Sequence, residues 1–424
     1  MMKRTGLSAL SLLFSVSLAS ASDFSLNRAG AADLAAGEMP APSAPAAQEK
    51  AAQKEWTIMV FSNGKNNLEK YLLDDFNEME AVGSTDKVNV VVQLGRIDGY
   101  DSSDGDWTGV RRYFVTKDAD RSKISSTLVQ DLGASDMGDF KTLAAFGSWA
   151  KANYPARKYM LIIENHGDGW SRGRRVRVNR GISFDDETGN HISTPQLGAA
   201  LREMGGVDVF GTDACLMQMA EVVYEIKDSA RYVVGSEETE PGDGYTYDML
   251  LGPLAANPGM APAELGTLAV NAYGDHYDST GDGYTQSVVD SAAVPGMLAA
   301  VNDFAAALQR SGEKELAKSA RDQAVAFSTP ENKDLHHFVS LVVAGTKNAE
   351  VKAKGQALLD FITSSLVLKH RSQSSSGGGW SEPVDFAPTR GLAVYMPYGL
   401  PSSGYAELQW AKASGWDEFL AWLK

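Results

Sequence analysis

Between residues 56 and 235, short apolar runs alternate with amphipathic stretches, and this rhythm restricts the fold more than any other feature of the chain. Trp56-Thr57-Ile58-Met59-Val60-Phe61, Val88 to Leu94, Val110 to Val115, Lys158 to Ile163, Val207 to Phe210 and Tyr232 to Gly235 have the length and composition of strands. Several of them are apolar at successive positions, as strands covered on both faces are. Between them, Leu68, Leu72, Phe76 and Met79 recur at helical spacing, and Phe140 to Tyr154 continues the pattern. Thr194 to Met204 opens with Thr194 as a cap and Pro195 in its first turn, and Met217 to Lys227 is a further helix. This order predicts an α/β protein with a largely parallel sheet between two helical layers. Beyond about residue 250 the chain reads as more helical, at 261–275, 295–310 and 349–367. Gln286 to Asp290 and Gly391 to Met396 return as strands, and Ser374 to Gly379 is a loop.

The N-terminus reads differently. Lys3 and Arg4 precede a short apolar run from Leu7 to Leu18, and Ala19-Ser20-Ala21 supplies a small-x-small cleavage pattern. Residues 1–21 are therefore expected to be a signal peptide, which makes the protein secreted or periplasmic. Residues 22–54, rich in Ala, Pro, Gly and Glu, lack the apolar content for a core and form a tether or pro-segment. A catalytic core at 55–250 and a C-terminal part at 251–424 complete the expected division, and no stretch after the signal has the look of a membrane span. The formal net charge of −15 argues against nucleic-acid binding, which needs a basic surface to displace counterions. It leaves the oligomeric state open. A single cysteine in an exported chain excludes an internal disulfide framework, so Cys215 is either a small buried hydrophobe or a reactive thiol.

Two strand ends favour the second alternative. Leu161-Ile162-Ile163 runs into Glu164-Asn165-His166-Gly167, and Val207-Asp208-Val209-Phe210 runs through Gly211-Thr212-Asp213-Ala214 to Cys215. If these strands are parallel neighbours, both loops leave the same edge of the sheet, and sulfur and imidazole can meet there. A thiol beside an imidazole and near a helix N-terminus is a nucleophile. The backbone N–H groups of Gly167 and Cys215 are the natural donors to an oxyanion. Such a set suffices for acyl transfer from a peptide bond.

The chain resembles the clostripain family of cysteine peptidases, which share a caspase-like fold. The resemblance spans roughly Glu55 to the C-terminus. It rests on Trp56 to Val60 with Asn66-Asn67-Leu68-Glu69, on Asn165-His166-Gly167, and on Asp213-Ala214-Cys215-Leu216-Met217. It continues through Ser236-Glu237-Glu238, Pro241-Gly242, Gly391 to Pro397 and Gly415-Trp416. It implies a caspase-like α/β/α sandwich and an endopeptidase cutting polypeptides after exposed Arg or Lys through a thioester, with Cys215 and His166 catalytic. Asp213 matches the position that pairs the substrate's basic side chain, although an Asp there also suits a helix cap.

Glu237 follows a strand end and is expected to line the substrate cleft. The basic run from Arg172 to Arg180 resembles a substrate, so self-processing there is expected, with Arg175 and Arg180 as candidates. No cofactor is required, and no metal site involves the cysteine. The acidic loop from Asp98 to Asp106 offers oxygen ligands of the kind calcium takes, without the spacing of an EF-hand. The competing reading is a catalytically silent caspase-fold module for binding or adhesion, against which the intact Cys, His and Asp motifs count.

Overall fold

The computed structural model describes residues 53–170, 181–377 and 383–424. The signal segment, nearly all of the tether, and the cleavage candidates Arg175 and Arg180 lie outside the described residues.

In chain order the strands are β1 (Lys54–Gly64), β2 (Val88–Arg96), β3 (Gly109–Phe114), β4 (Thr127–Gly133), β5 (Ala156–Glu164), β6 (Ile182–Asp185), β7 (Asn190–Ile192), β8 (Val207–Asp213), β9 (Ala230–Gly235), β10 (Tyr284–Asp290), β11 (Asn332–Asp334), β12 (Val367–Gln373) and β13 (Ala393–Tyr395). Nine of them make one sheet in the order β12-β10-β9-β8-β5-β1-β2-β3-β4. Its middle, from β9 to β2, is parallel, and antiparallel strands extend it at both sides. The chain builds outward from β1 to β2 and then restarts on the other side at β5, so the strand order reverses between β1 and β5. In open parallel sheets such a switch opens a crevice beyond the carboxyl ends of the strands.

The helices are α1 (Glu69–Val82), α2 (Phe140–Asn153), α3 (Thr194–Glu203), α4 (Ala220–Ile226), α5 (Tyr247–Ala256), α6 (Pro262–Thr280), α7 (Val294–Ser311), α8 (Lys314–Gln323), α9 (Leu335–Gly345), α10 (Ala349–Phe361), α11 (Gln409–Ala413) and α12 (Trp416–Leu423). Strand alternation sorts the core into two layers. Ile58, Val60, Met160, Ile162 and Val209 face α1, α5 and α6. Met59, Phe61, Leu161, Ile163 and Phe210 face α2, α3, α4 and the C-terminal helices. The sandwich expected from the sequence is thus present.

Several local expectations change. Ser193, not Thr194, caps α3, in a reciprocal capping box with Gln196. The helix expected from Met217 begins only at Ala220. Residues 251–424 contribute β10 and β12 to the main sheet and therefore share the core of the first part. The segment Ser291–Ser311 is long and apolar enough to cross a membrane, contrary to the sequence reading. Its Val294, Met297, Val301, Phe304 and Leu308 are buried in the core against other elements.

Candidate active site

Three loops leave the carboxyl ends of adjacent parallel strands β1, β5 and β8, and they carry Asn67, His166 and Cys215 respectively. His166 and Cys215 line one cavity of about 160 Å³, together with Leu68, Leu72, Asp75, Glu164, Asp213 and Glu240. The two sequence motifs therefore meet at the crevice that the strand order predicts.

Asn165 fixes the histidine loop. Its side chain donates to the Asn63 carbonyl at 2.5 Å and accepts from the Phe184 N–H at 2.6 Å. Its own N–H reaches the Asp213 carbonyl at 3.1 Å, so one residue ties β1, β6 and β8 together beside His166. His166 Nε2 is 2.8 Å from Asn67 Oδ1. If that nitrogen carries the proton, Nδ1 is left as the basic atom. Asn67 is a positioning residue that the residue chemistry of the sequence did not single out; the Asn66-Asn67 pair in the family motif was its only trace.

The cysteine loop is held by backbone pairing. Leu216 N–H donates to the Glu238 carbonyl at 3.0 Å and Gln218 N–H to the Ser236 carbonyl at 2.9 Å. Ala393 N–H of β13 buttresses it from beyond, on the Gln218 carbonyl at 3.0 Å. This extended path is why α4 starts late, and it removes the expected support of the thiol by a helix N-terminus. Leu216, directly after the nucleophile, has φ +64°, a left-handed conformation costly for a side chain of its size. Gly167 packs against this loop so closely that a Cβ would stand 2.4 Å from the Cys215 carbonyl oxygen. The hydrogen bonds of its bridge to Ile182 use the His166 carbonyl and the Asp168 N–H, so the N–H of Gly167 takes no part in them.

Burial, with the Glu240 and Glu238 carboxylates, pushes the Cys215 thiol up to about 12, although the Glu240 N–H donates to its sulfur at 3.3 Å. Burial also lowers His166. Both shifts favour uncharged forms, so before substrate arrives the pair is a neutral thiol and imidazole, not the ion pair that a helix N-terminus would favour.

Below this pair lies a group of carboxylates. Glu164 and Asp213 are direct register partners at the ends of β5 and β8, so their side chains leave the same face, the one covered by α1. Asp75 of α1 faces them. Oxygen atoms of all three lie within 4.8 Å of one another, and among the described residues this is the one cluster of such side chains able to surround a single cation. Glu164 continues the inward row of Met160 and Ile162. Burying an isoleucine there is favourable by about 2 kcal/mol, whereas an unpaired buried carboxylate costs several kcal/mol and takes up a proton instead.

The titration follows that logic. Burial raises Glu164 to about 8 and Asp213 to about 6, and it raises Asp75 and Glu240 well above the carboxylate range. The rise at Asp213 is held back by the Tyr245 N–H (3.0 Å), the Glu240 carboxyl and the Tyr247 hydroxyl (3.1 Å), which donate to it. Asp213 caps no helix, since α4 begins at Ala220, and Gly244 at φ +56° brings its backbone against this carboxylate where a Cβ would collide with it.

Glu237 is placed elsewhere. It is 1% exposed, accepts from the Gly391 N–H at 3.1 Å and sits beside Asp334 and His370, so it anchors the C-terminal part and does not line the cleft. The acidic loop at 98–106 gathers no comparable ligand set among the described residues. Its Asp101 side chain accepts from Ser103, and Asp104 accepts from the Ile124 N–H.

The sequence profile of the Clostripain family matches residues 60–422, and the chain belongs to that family. Clostripain of Hathewaya histolytica is 31% identical over 227 residues, covering 48% of this chain and 43% of that protein, so the match spans less than half the length of that relative. Among solved structures, a secreted C11 cysteine protease from Bacteroides thetaiotaomicron in complex with an irreversible peptide inhibitor superposes with a TM-score of 0.67 at 22% identity, over 86% of this chain and 100% of that one. An inactive zymogen C11 protease from Parabacteroides distasonis gives 0.62 at 16% identity, over 85% and 98%. These likenesses establish the caspase-like fold.

Proposed function

We infer that the protein is an exported cysteine endopeptidase that cleaves polypeptides after Lys or Arg. The observation that carries this reading is the single cavity in which Cys215 and His166 stand over buried carboxylates with no Lys or Arg among the described residues lining it. A substrate cation entering the cavity supplies the missing counter-charge and positions the following peptide bond at the rim.

Cys215 Sγ then attacks the carbonyl carbon, and the oxyanion that forms is met by the N–H groups of Gly167 and Cys215. The thiol proton passes to the neutral His166. The C–N bond breaks as His166 delivers that proton to the leaving amine, and a thioester remains. Water, deprotonated by His166, hydrolyses the thioester and restores the thiol. Approach of a cation to the acidic floor also offsets the negative field on the sulfur, which eases loss of its proton at the moment of attack.

Export is supported by the N-terminal sequence, and the Bacteroides thetaiotaomicron neighbour is a secreted protease. Self-processing at Arg175 or Arg180 is supported by position. The segment leaves after Trp170 and returns at Gly181, whose carbonyl accepts from the Asp168 N–H at 3.0 Å beside the histidine loop.

Incubating the purified protein with a mixed peptide library and mapping the products by mass spectrometry tests the reading. Cuts should fall after Lys and Arg, and Cys215→Ala should abolish them. Asp213→Asn should lower kcat/KM for such substrates by about 10²-fold or more, the scale of a lost buried charge partner. Cleavage after acidic or small residues would overturn the specificity, and no cleavage at all would favour the silent binding module.

A further inference from the structure

The floor of the cavity holds more acid than a single cation needs. Asp213 alone would provide a partner for a basic side chain, yet Asp75 and Glu164 converge on the same point. Glu164 is 2% exposed and lines the cavity, no backbone N–H or basic side chain among the described residues donates to either of its oxygens, and its neighbours there are the Asp75 carboxyl and the Ser62 hydroxyl. Two buried carboxyls that have little but each other's proton to share leave acceptor sites open to a donor from outside the chain.

The spacing says which donor. An atom at the centre of a triangle with edges of 4.8 Å lies about 2.8 Å from each corner, within the range of an N–H···O bond. One nitrogen can therefore reach all three carboxylates at once. An ammonium has three donors diverging from a single atom, one for each oxygen. A guanidinium carries its five donors in one plane on three separate nitrogens, at most two to a nitrogen, so no single nitrogen of it can donate to three oxygens set around one point. Leu68 and Leu72 line the same cavity and offer an apolar wall to a methylene stem.

We propose that Asp75 and Glu164 join Asp213 as specificity-determining residues, forming a three-carboxylate seat that takes the ammonium of lysine in preference to the guanidinium of arginine. The proposal rests on the peptidase reading above and refines its substrate class. Seating the ammonium displaces protons that the carboxylates otherwise share, so the substrate itself neutralises the seat.

The test is a competition in one tube between two peptide substrates that differ only in Lys or Arg at the cleaved position. The ratio of the two kcat/KM values does not depend on how much enzyme is folded. The wild-type protein should favour Lys by about tenfold, the scale of one additional charge-assisted hydrogen bond. Glu164→Gln and Asp75→Asn should each draw the ratio towards one, with the loss falling on the Lys substrate. As a readout free of variants, n-butylammonium should inhibit the wild type at lower concentration than n-butylguanidinium. A wild-type preference for Arg, or variants that slow both substrates equally, would overturn the seat while leaving the peptidase reading intact. Cleavage of neither substrate, with cuts after some other residue, would remove that reading and the seat with it.

Discussion

At the rim of the cleft, Cys215 and His166 are uncharged and are held by backbone pairing, by Asn165 and Asn67, and by a left-handed residue at Leu216. At the floor, Asp213 and Glu164 at the ends of the same strands and Asp75 of α1 are buried carboxylates with no cation of the chain among them, and both Glu164 oxygens lack a donor in hydrogen-bond geometry among the described residues. The rim is complete in its geometry and lacks charge; the floor has acidic groups in excess and lacks a partner. A cation from outside resolves both conditions, because it fills the floor and eases ionisation of the thiol above it. The difference teaches that this site is arranged for a basic substrate before it is arranged for chemistry.

The largest effect that sharpens the contrast belongs to the rim. His166→Ala should lower kcat by about 10³-fold or more with KM little changed, since the imidazole is needed for proton transfer and not for holding the side chain. Steady-state kinetics with a Lys peptide checks this, and a rise in KM without loss of kcat would place the histidine on the binding side. Asn67→Ala should cost less, about tenfold, and should shift the acidic limb of the pH–rate profile. A purely structural asparagine would leave that limb in place.

A smaller effect belongs to the floor and concerns stability. Carboxylates raised by burial bind protons in the folded state that they release when unfolded, so stability is greatest at low pH and falls as pH rises. The window runs from the unfolded carboxylate range near about 4 to the value of about 8 reached by Glu164. The melting temperature of the free protein should therefore drop by on the order of a few °C between pH 5 and 8. n-Butylammonium should recover part of the loss at pH 8. A melting temperature that climbs steadily across this range would show that the floor is paired within the chain.

The sequence exposed the rim better than the floor, for physical reasons. Strands β5 and β8 announce themselves as apolar runs, and a lone cysteine after one and a histidine after the other mark the loops. Asp213 came with the motif around Cys215. Glu164 carried a signal that went unused: it shares the parity of Met160 and Ile162, so it faces inward on a buried strand. Asp75 lies beside Asp74 in a helix whose acids read as a solvated face, and only the sheet it packs on turns it towards the cleft. Glu237 was misread because a loop acid after a strand looks exposed, whereas Gly391 and Asp334, far along the chain, close over it. The late start of α4 was hidden for a similar reason, since residues 216–218 pair with 236–238, a contact no local pattern records.

The most direct measurement is the intact mass of the protein after incubation with a lysyl chloromethyl ketone. One adduct should form, map to Cys215, and be absent in Cys215→Ala and suppressed by n-butylammonium. A wild-type protein that stays unmodified, or carries its label on another residue, would contradict a cleft in which this thiol and this imidazole act together above an acidic floor.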